Sequence, residues 1–406
     1  MFKSSYKFRK KTIKDIELKG KTILLRADYN VPLNEDGSIA SDFRITQSIP
    51  TIRYLLKQNC KIIIIAHLGR PEGKINPKFS LSPIAQHLHS LLPEIMVGFA
   101  ADCINDGAIL TCKKAGLGDI ILLENLRFHE GEEANDVDFA NKLKRVSGAD
   151  YFVQDGFGIV HRPHASTEAI THLLPSVAGL LLEKEVTVLS SVMSEPVHPV
   201  VAVVGGAKIS DKIGFIEKLT NIADTILIGG AMANTFLKHK GNKVGKSLVE
   251  NDQDQEIATI LQKSKPNQIL LPQDVAVAKE IATDSQRRDC NLNDIKDDDI
   301  ILDLGFETMR LFNQKISSAS TVIWNGTLGY AELPQFARSS GVLADSITSV
   351  SGLESIVGGG DTADFALDWL KQNVERKFSH ISTGGGASLE LMSGMKLPGV
   401  EALLNN

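Results

Sequence analysis

The sequence predicts an α/β protein with two doubly wound, parallel-sheet domains of the Rossmann-like kind, joined by a long helix. Three observations support this fold class. Short apolar, β-branched runs recur along the chain, and they are continuous rather than alternating, as in strands buried on both faces of a parallel sheet. Segments with helical periodicity separate these runs. The length of 406 residues exceeds what one ordinary hydrophobic core accommodates, so two domains are expected.

The strands are predicted in two series, one in each half of the chain. The first half places them at 22–29, 61–68, 119–125 and 150–155. The second half places them at 199–206, 224–230, 267–274, 299–305, 320–326, 354–360 and 379–385. Near the end of the chain, the β-prone run at 381–383 is followed by three glycines and a helix predicted over 387–392.

The boundary between the predicted domains falls in the segment 166–199. Most of this segment has helical periodicity, which is interrupted by Pro175. A long helix here would join the domains 1–187 and 188–392. The polar stretch 284–299 is predicted to be a solvated loop.

Composition excludes several classes of protein. The formal net charge of −5 argues against a general nucleic-acid binder. The four cysteines are scattered without ligand-like spacing, which fits free thiols in a reducing compartment. The basic start of the chain lacks the apolar stretch of a secretory signal, and no apolar run reaches the ~20 residues of a membrane span. We therefore expect a cytoplasmic protein with neither nucleic-acid nor membrane partners.

Glycines follow nearly every predicted strand of the second half. Glycine in succession is entropically costly, but it lets backbone N–H groups approach a ligand closely. At a helix N-terminus such N–H groups form an anion site. Lys208 and Lys212 follow one such glycine pair, and Asp361 follows another cluster. A capping role is the ordinary alternative for Asp361, but beside phosphates a single carboxylate also suits Mg²⁺.

Two nucleotide motifs are incomplete. The stretch GNKVGKS at 241–247 has three residues rather than four between its glycines and follows a helix-like segment, so we interpret it as a loop. None of the glycine clusters completes G-x-G-x-x-G. A dinucleotide-dependent oxidoreductase therefore remains only a rival hypothesis.

Basic and polar residues follow the predicted strands of the first half. Eight of the thirteen arginines precede residue 170. Arginine binds planar oxyanions in a bidentate manner, so the cluster predicts a small polyanion carrying a phosphate and a carboxylate. Its members are Asp28, Asn30, Arg44, His67, Arg70, Arg127, His129, His161, Arg162 and His164. One phosphate site and one small-anion site together predict phosphoryl transfer across a cleft that closes.

Eight motifs jointly resemble phosphoglycerate kinases. They are RADYNVPL, AHLGRP, LLENLRFHEGEE, DYFVQDGFGIVHRPHAS, GGAKISDKI, WNGTLGYAE, GGGDT and HISTGGGASLELMSGMKLPGVEAL. The resemblance is collinear from about residue 15 onward. It implies reversible phosphoryl transfer from 1,3-bisphosphoglycerate to MgADP, giving 3-phosphoglycerate and MgATP, in glycolysis or gluconeogenesis. It also implies a 3-phosphoglycerate domain at 1–187, a nucleotide domain at 188–392, and a tail, 393–406, that packs back on the first domain.

The resemblance further implies a role for each matched residue. The substrate side comprises Asp28, Asn30, Arg44, His67, Leu68, Gly69, Arg70, Arg127, His161 and Arg162. The nucleotide side comprises Gly205, Gly206, Ala207, Lys208, Lys212, Gly229 near the adenine, Asn325, Glu332 on the ribose, and Gly358, Gly359, Gly360, Asp361 and Thr362. Asp361 is expected to hold Mg²⁺. The catalytic group comprises Arg44, Lys208, Gly384, Gly385 and Gly386, the glycines facing the transferring phosphoryl group.

The expected chemistry needs no general base, because a carboxylate nucleophile is already ionised at neutral pH. Thr327 and Phe306 stand where the family usually has proline, and Gln154 stands where it has asparagine. These departures remove no matched catalytic group, so a catalytically silent binding protein is the weaker alternative. We expect a monomer acting on small molecules.

Overall fold

The protein is described by a computed structural model that covers residues 6–406; the first five residues of the basic start lie outside the described part. The chain divides into two compact units. One comprises residues 7–187 and 396–406, and the other comprises Tyr6 and residues 188–395. We call them the N-terminal unit and the C-terminal unit. Within residues 6–406, no helix is both long enough and apolar enough to cross a membrane.

The N-terminal unit contains a six-stranded parallel sheet in the order β3-β4-β2-β1-β5-β6. Its strands are β1 (Thr22–Arg26), β2 (Lys61–Ile65), β3 (Val97–Ala100), β4 (Ile120–Leu123), β5 (Tyr151–Gln154) and β6 (Ser176–Ala178). Its helices are α1 (Phe43–Lys57), α2 (Ser82–Leu91), α3 (Asp106–Lys114), α4 (Glu130–Glu133) and α5 (Val137–Ser147). Because these strands are parallel neighbours, the carboxyl ends of β1, β2, β4 and β5 lie at one edge of the sheet.

The strands are continuous apolar runs because both faces of the sheet are covered. In β2, Ile62 and Ile64 pack into one core layer, whereas Ile63 and Ile65 pack into the other. Side chains alternate across a strand, so a strand with two buried faces has few polar positions. This is the pattern that predicted a parallel sheet.

The segment 166–199 is less helical than predicted. It contains a short 3₁₀ turn at Ala169–His172, then β6, then helix α6 (Leu180–Ser194), which runs across the boundary between the two units. The apolar spacing misled because Ile170 and Leu174 are buried in the core while lying outside any α-helix. Strand β3 was also missed, because it is short, contains Gly98 and is only partly buried.

The tail residues 396–406 belong to the N-terminal unit. Helix α14 (Pro398–Glu401) begins close to Val160, whose carbonyl accepts a hydrogen bond from Gly399 N–H at 2.8 Å. The Lys10 ammonium donates to the carbonyl of Glu401 at 2.7 Å and to Asn405 Oδ1 at 2.9 Å. These contacts fasten the tail to the start of the unit.

The C-terminal unit contains a second six-stranded parallel sheet, in the order β15-β14-β13-β7-β8-β9. Its strands are β7 (Val200–Val204), β8 (Thr225–Ile228), β9 (Ile269–Leu270), β13 (Thr321–Asn325), β14 (Glu354–Gly358) and β15 (His380–Ile381). Its helices are α7 (Ile213–Ile222), α8 (Gly230–His239), α9 (Asp254–Lys263), α10 (Phe306–Ser317), α11 (Arg338–Ser349), α12 (Gly360–Gln372) and α13 (Gly385–Met392).

One part of this unit differs from the prediction. A separate antiparallel sheet has the order β11-β10-β12, formed by β10 (Asp274–Ala278), β11 (Arg288–Asn291) and β12 (Ile300–Leu304). The run at 299–305 therefore does not join the parallel sheet, and the predicted loop at 284–299 contains β11. Strand β11 is an edge strand of polar residues with alternating exposure, so it carries no apolar signal. The stretch 241–247 is a loop after α8, as predicted.

Candidate functional site

The predicted anion-binding residues of the N-terminal unit lie after the carboxyl ends of four neighbouring strands. Asp28 and Asn30 follow β1, the segment 67–70 follows β2, Arg127 follows β4, and the segment 161–164 follows β5. Arg44 is the second residue of α1. Parallel strands in neighbouring positions bring these groups to one edge of the sheet.

Asp28 is held in place by a residue of α1, and Asn30 by a residue that follows β2. Asp28 Oδ2 accepts a hydrogen bond from Arg44 Nη1 at 2.8 Å, and Asp28 is buried while Arg44 is partly exposed. Asn30 Oδ1 accepts one from the Gly69 N–H at 2.8 Å. These contacts fix the Arg44 guanidinium and the loop at Gly69.

Arg127 lies beside this loop. Its Nη1 donates to the carbonyl of Gly69 at 2.9 Å, and its Nη2 pairs with Glu133 at 3.1 Å. Its Nε is buried without a hydrogen-bond partner among the described residues. An unpartnered guanidinium N–H is costly in a protein interior, so an anion would stabilise Arg127.

Arg26 lies beneath the predicted cluster, and sequence reasoning missed it. It is fully buried at the end of β1, where Nε donates to Ser166 Oγ at 2.8 Å and Nη2 lies 3.1 Å from His67 Nδ1. Glu132, also fully buried, lies 3.7 Å from Arg26 Nη2. Arg26 falls within a run that otherwise predicts only a buried strand, so the sequence offered no signal for its role.

Three histidines of the cluster have lowered pKa values, and the causes are burial first and the nearby arginines second. Burial, then Arg26, Arg127 and Arg44, hold the pKa of His67 well below its usual range. Burial, then Arg26 and Arg127, lower the pKa of His164 to about 3. Burial, then Arg162, lower the pKa of His161. These imidazoles are therefore neutral at neutral pH, which is the response expected of histidines inside a preorganised anion site.

The remaining predicted residues border the cluster. Leu68 is buried, whereas Arg70 and Arg162 are exposed. Arg162 Nε lies 3.3 Å from His161 Nε2. His129 is turned elsewhere, towards Asp102, whose Oδ1 lies 3.6 Å from His129 Nε2. His129 is therefore a neighbour of the anion cluster rather than a member.

In the C-terminal unit, the glycines after β7 and β13 pack directly against each other. A Cβ on Gly205 would lie 2.1 Å from the carbonyl oxygen of Thr327, so a side chain there is excluded. Gly206 N–H donates to that same carbonyl at 3.1 Å, and Gly205 N–H donates to the Asn325 carbonyl at 2.9 Å. The glycines thus let two loops meet at the carboxyl edge of the sheet.

The two predicted lysines have different environments. Lys212 is partly buried and donates to the carbonyl of Gly205 at 2.7 Å. Burial lowers its pKa to about 8, although Asp361 and Asp211 oppose the shift. Lys208 is exposed, so its charge is free to reach a ligand. Lys212 anchors the loop, whereas Lys208 extends from it.

Two helices begin side by side at this edge. Helix α12 begins at Gly360, after Gly359, whose φ of 96° favours glycine. Helix α13 begins at Gly385, two residues earlier than predicted, so Gly385 and Gly386 lie in its first turn and Gly384 is its N-cap. A Cβ on Gly385 would lie 3.4 Å from Gly360 N, which shows how closely the two N-termini approach.

Some polar side chains around these N-termini have hydrogen-bond partners, and others have none among the described residues. Thr362 Oγ1 accepts a hydrogen bond from Gly326 N–H at 2.7 Å, so it braces the neighbouring loop. Asn325 Nδ2 is buried without a hydrogen-bond partner among the described residues and lies near Gly359. Asp361, in the first turn of α12, is exposed, and the N-cap of this helix is Gly359. The capping role that was the ordinary alternative for Asp361 is therefore not observed. Its carboxylate therefore remains available.

A cavity of about 400 Å³ opens beside these loops within the C-terminal unit. Four predicted residues line it: Gly206, Ala207, Glu332 and Asp361. Gly229 does not line it, but packs against Leu328, which does. The apolar lining that sequence reasoning missed includes Leu248, Val275, Ile281, Ile300 and Leu328. An apolar slot beside two helix N-termini suits a flat aromatic base that bears a phosphate chain.

The N-terminal unit is doubly wound and has a cationic edge. The C-terminal unit combines glycine-lined helix N-termini, lysines and an apolar slot. Together these features define a nucleotide-dependent phosphotransferase for a small anion. The comparisons with known proteins specify which one. A family profile described as "Phosphoglycerate kinase" matches residues 13–395. A relative named phosphoglycerate kinase, from Pelotomaculum thermopropionicum, is 44% identical over 398 residues, covering 98% of this chain and 99% of that protein.

Solved structures agree with the family profile. The structure of phosphoglycerate kinase from Coxiella burnetii matches with a TM-score of 0.81 and 35% identity, covering 97% of this chain and 98% of that one. That from Pyrococcus horikoshii OT3 matches with a TM-score of 0.83 and 29% identity, over the same shares of the chains. The chain belongs to the phosphoglycerate kinase family, whose members are kinases with a carboxyl acceptor. The resemblance drawn from the motifs and the predicted fold class are thereby confirmed.

Proposed function

We propose that the chain catalyses reversible phosphoryl transfer from 1,3-bisphosphoglycerate to MgADP, giving 3-phosphoglycerate and MgATP, with the glycerate on the N-terminal unit and the nucleotide on the C-terminal unit. The observation that carries the placement is the contrast between the two sheet edges. One edge concentrates arginines, and burial together with these arginines lowers the pKa values of three histidines. The other presents two adjacent glycine-led helix N-termini beside an apolar cavity.

The N-terminal unit supplies the contacts to the glycerate. Asp28 and Asn30 have carboxylate and amide oxygens suited to its hydroxyl and carboxylate end, as the family's motifs imply. Arginines and neutral histidines suit its phosphate, because guanidinium N–H groups bind oxyanions in a bidentate manner. These phosphate-binding side chains are His67, Arg70, Arg127, His161 and Arg162, with Leu68 and Gly69 shaping the loop between them.

The C-terminal unit supplies the contacts to the nucleotide. The apolar lining of the cavity holds the base, and Glu332 accepts hydrogen bonds from the ribose hydroxyls. The helix N-termini at Gly360 and Gly385 direct N–H groups at the phosphates. Lys208 adds a mobile charge, and Lys212 stiffens the loop of Gly205, Gly206 and Ala207.

Asp361 fits the requirement for Mg²⁺. The cation takes one or two carboxylates together with substrate phosphates, and Asp361 is an exposed carboxylate at a helix N-terminus and at the cavity. When bound, Mg²⁺ neutralises charge on the phosphate chain. The residues around Asp361, namely Gly358, Gly359, Gly360 and Thr362, orient its carboxylate and the loop.

Transfer requires no general base. The nucleophile in the ATP-consuming direction is the carboxylate of 3-phosphoglycerate, which is ionised at neutral pH. The work that remains is to position the substrates and to stabilise charge on the equatorial oxygens. We assign it to Arg44, Lys208 and the N–H groups of Gly384, Gly385 and Gly386. Because the substrates bind to different units, transfer requires that the units close when both ligands are present.

The substrates and the cysteines support a proposal for the compartment in which the protein acts. Its substrates are small molecules, and the four cysteines are free thiols, which suits a reducing compartment. We therefore propose a monomer in the cytoplasm. Sedimentation velocity tests the oligomeric state, and a dimer at micromolar concentration would contradict it.

A coupled assay tests the proposed function. 3-Phosphoglycerate and MgATP are added, and release of ADP is measured with each substrate omitted in turn. ADP release that depends on both substrates is expected. A dinucleotide-dependent oxidoreductase would instead turn over NAD(P)H without ATP, and a silent binding protein would bind both ligands with no ADP released; either result would reject the proposal.

A further inference from the structure

We propose that Asp102, Cys103 and His129 form a binding site for a thiophilic divalent cation such as Zn²⁺ in the N-terminal unit. One ligand atom from each side chain lies within 4.8 Å of those of the other two. We refer to these three residues as the Asp102–Cys103–His129 cluster. It belongs to the N-terminal unit, whereas Asp361, the proposed Mg²⁺ ligand, belongs to the C-terminal unit.

The fold brings the three residues together through neighbouring strands. Asp102 and Cys103 follow β3, and His129 follows β4 and the 3₁₀ turn at Leu126–Phe128. Strands β3 and β4 are paired in parallel, so the segments after them leave the sheet at one edge. The cluster is therefore a product of topology, and no spacing in the sequence indicates it.

The three side chains offer donor types that suit the proposed cation. An imidazole nitrogen, a thiolate and a carboxylate are the three donor types that Zn²⁺ takes, and three protein ligands leave the fourth position to water. His129 Nε2 and Asp102 Oδ1 are 3.6 Å apart. With Zn²⁺ bonds of 2.0–2.3 Å, two ligands of a tetrahedron stand roughly 3.3–3.8 Å apart. The same Asp102 Oδ1 accepts hydrogen bonds from the N–H groups of Ile104 and Asn105, which hold the carboxylate beside His129.

The charges around the thiol favour a cation. Burial and the carboxylates of Asp102, Glu132 and Glu124 hold the pKa of Cys103 well above its usual range. The same negative field that opposes a bare thiolate attracts a positive ion. Binding forms a metal–sulfur bond and releases the thiol proton to solvent, so neither an oxidant nor a reductant is required.

The histidine is ready to act as a ligand. Burial lowers the pKa of His129 against the effect of Asp102, and Lys142 adds to the lowering. His129 Nε2 is the ring nitrogen that faces Asp102, at 3.6 Å from Oδ1. Asp102 and His129 are partly exposed while Cys103 is fully buried, so a cation can enter from the side of Asp102 and His129.

Cadmium titration tests the site, because cadmium thiolates give a sulfur-to-metal charge-transfer absorption. The folded full-length chain should bind one equivalent of Cd²⁺ with this absorption, and Zn²⁺ should displace it. The absorption should disappear in Cys103→Ser and persist in Cys112→Ser, a buried thiol outside the cluster, and in Cys290→Ser, the most exposed thiol of the four.

Two further variants keep the test independent of core packing. Cys103→Ser places a hydroxyl in an apolar core, but Asp102→Asn and His129→Gln alter partly exposed side chains and retain the thiol. Each should weaken Cd²⁺ binding by at least about tenfold. The proposal is overturned if the wild-type chain gives no charge-transfer absorption, if the absorption survives in Cys103→Ser, or if both Asp102→Asn and His129→Gln bind Cd²⁺ as tightly as wild type.

Discussion

Asp155 should make the N-terminal unit less stable as the pH rises. It follows β5 and is almost completely buried, and its Oδ1 accepts hydrogen bonds from the N–H groups of Leu181 and Leu182 at 2.9 and 3.2 Å. Burial raises the pKa of Asp155 from 3.8 to about 7, against the opposing hydrogen bonds from Thr51, Leu182 and Leu181. Between these two pH values the unfolded chain has lost a proton that the folded chain retains.

The sign and size of the effect follow from this difference. A raised folded-state pKa favours folding fully below pH 3.8, and the benefit is lost as the pH rises through about 7. The difference between 3.8 and about 7 corresponds to about 4 kcal/mol at high pH, of which roughly 2–3 kcal/mol falls between pH 5 and pH 8. Asp155→Asn retains an acceptor for the helix N–H groups but cannot ionise.

Urea denaturation at pH 5 and pH 8 measures the prediction. The free energy of unfolding of Asp155→Asn relative to wild type should increase by roughly 2–3 kcal/mol from the lower to the higher pH. Both tryptophans, Trp324 and Trp369, lie in the C-terminal unit, so tryptophan fluorescence follows the unfolding of that unit alone. Far-ultraviolet circular dichroism includes the N-terminal unit and is used to follow its unfolding, with fluorescence as an internal reference. Asp138→Asn, at an exposed position in the same unit, controls for the loss of one charge. The same difference between Asp155→Asn and wild type at both pH values would refute the reasoning.

Four further outcomes are expected. Lys208→Ala should lower kcat by about 100-fold or more with little change in substrate affinity, because a mobile charge is best used on the transferring group; steady-state kinetics with kcat within a few-fold of wild type would show that the role is wrong. Arg162→Ala should weaken 3-phosphoglycerate by roughly 1.5–3 kcal/mol and leave MgATP unchanged in titration calorimetry, and equal losses for both ligands would contradict the two-unit assignment. Small-angle scattering should show the largest fall in radius of gyration with both ligands present, and no contraction would count against closure. Thr327→Pro should tighten MgADP by up to about tenfold, because proline stiffens the loop yet keeps the carbonyl that accepts from Gly206 N–H, with the KM for 3-phosphoglycerate unchanged; unchanged or weaker MgADP binding in a folded variant would sink this idea.

The sequence predicts those parts of the site that lie at the ends of apolar strands. Arg127 and Asn30 were found in this way, since any polar residue after a buried parallel strand comes to the ligand edge. Arg26 could not be found, because it occupies a position inside a strand where an apolar residue is expected. Its charge is acceptable there only because Ser166, His67 and Glu132 surround it, and these partners are 41 to 140 residues away in the chain.

Fold prediction failed where tertiary pairing, rather than periodicity, decides the structure. Strand β12 has the same apolar character as the parallel strands but pairs antiparallel with β10. Strand β11 has polar residues that pair with neighbours, as Arg288 does with Asp299, so its sequence is that of a loop. Likewise, the apolar lining of the cavity, such as Leu248 and Ile300, is indistinguishable in sequence from ordinary core.

The tail contacts have a consequence for biosynthesis. Leu404 N–H donates to the Ser176 carbonyl at 3.0 Å, and Lys11 N–H donates to the Leu404 carbonyl at 2.7 Å. One edge of the N-terminal unit is thus completed by residues that are translated after the entire C-terminal unit. While the chain is still on the ribosome, residues 11–13 can already pair with Ala178 of β6, but the Ser176 carbonyl lacks its partner from the tail, and contacts this remote in sequence are slow to close. Translation order therefore makes the first unit begun the last one finished.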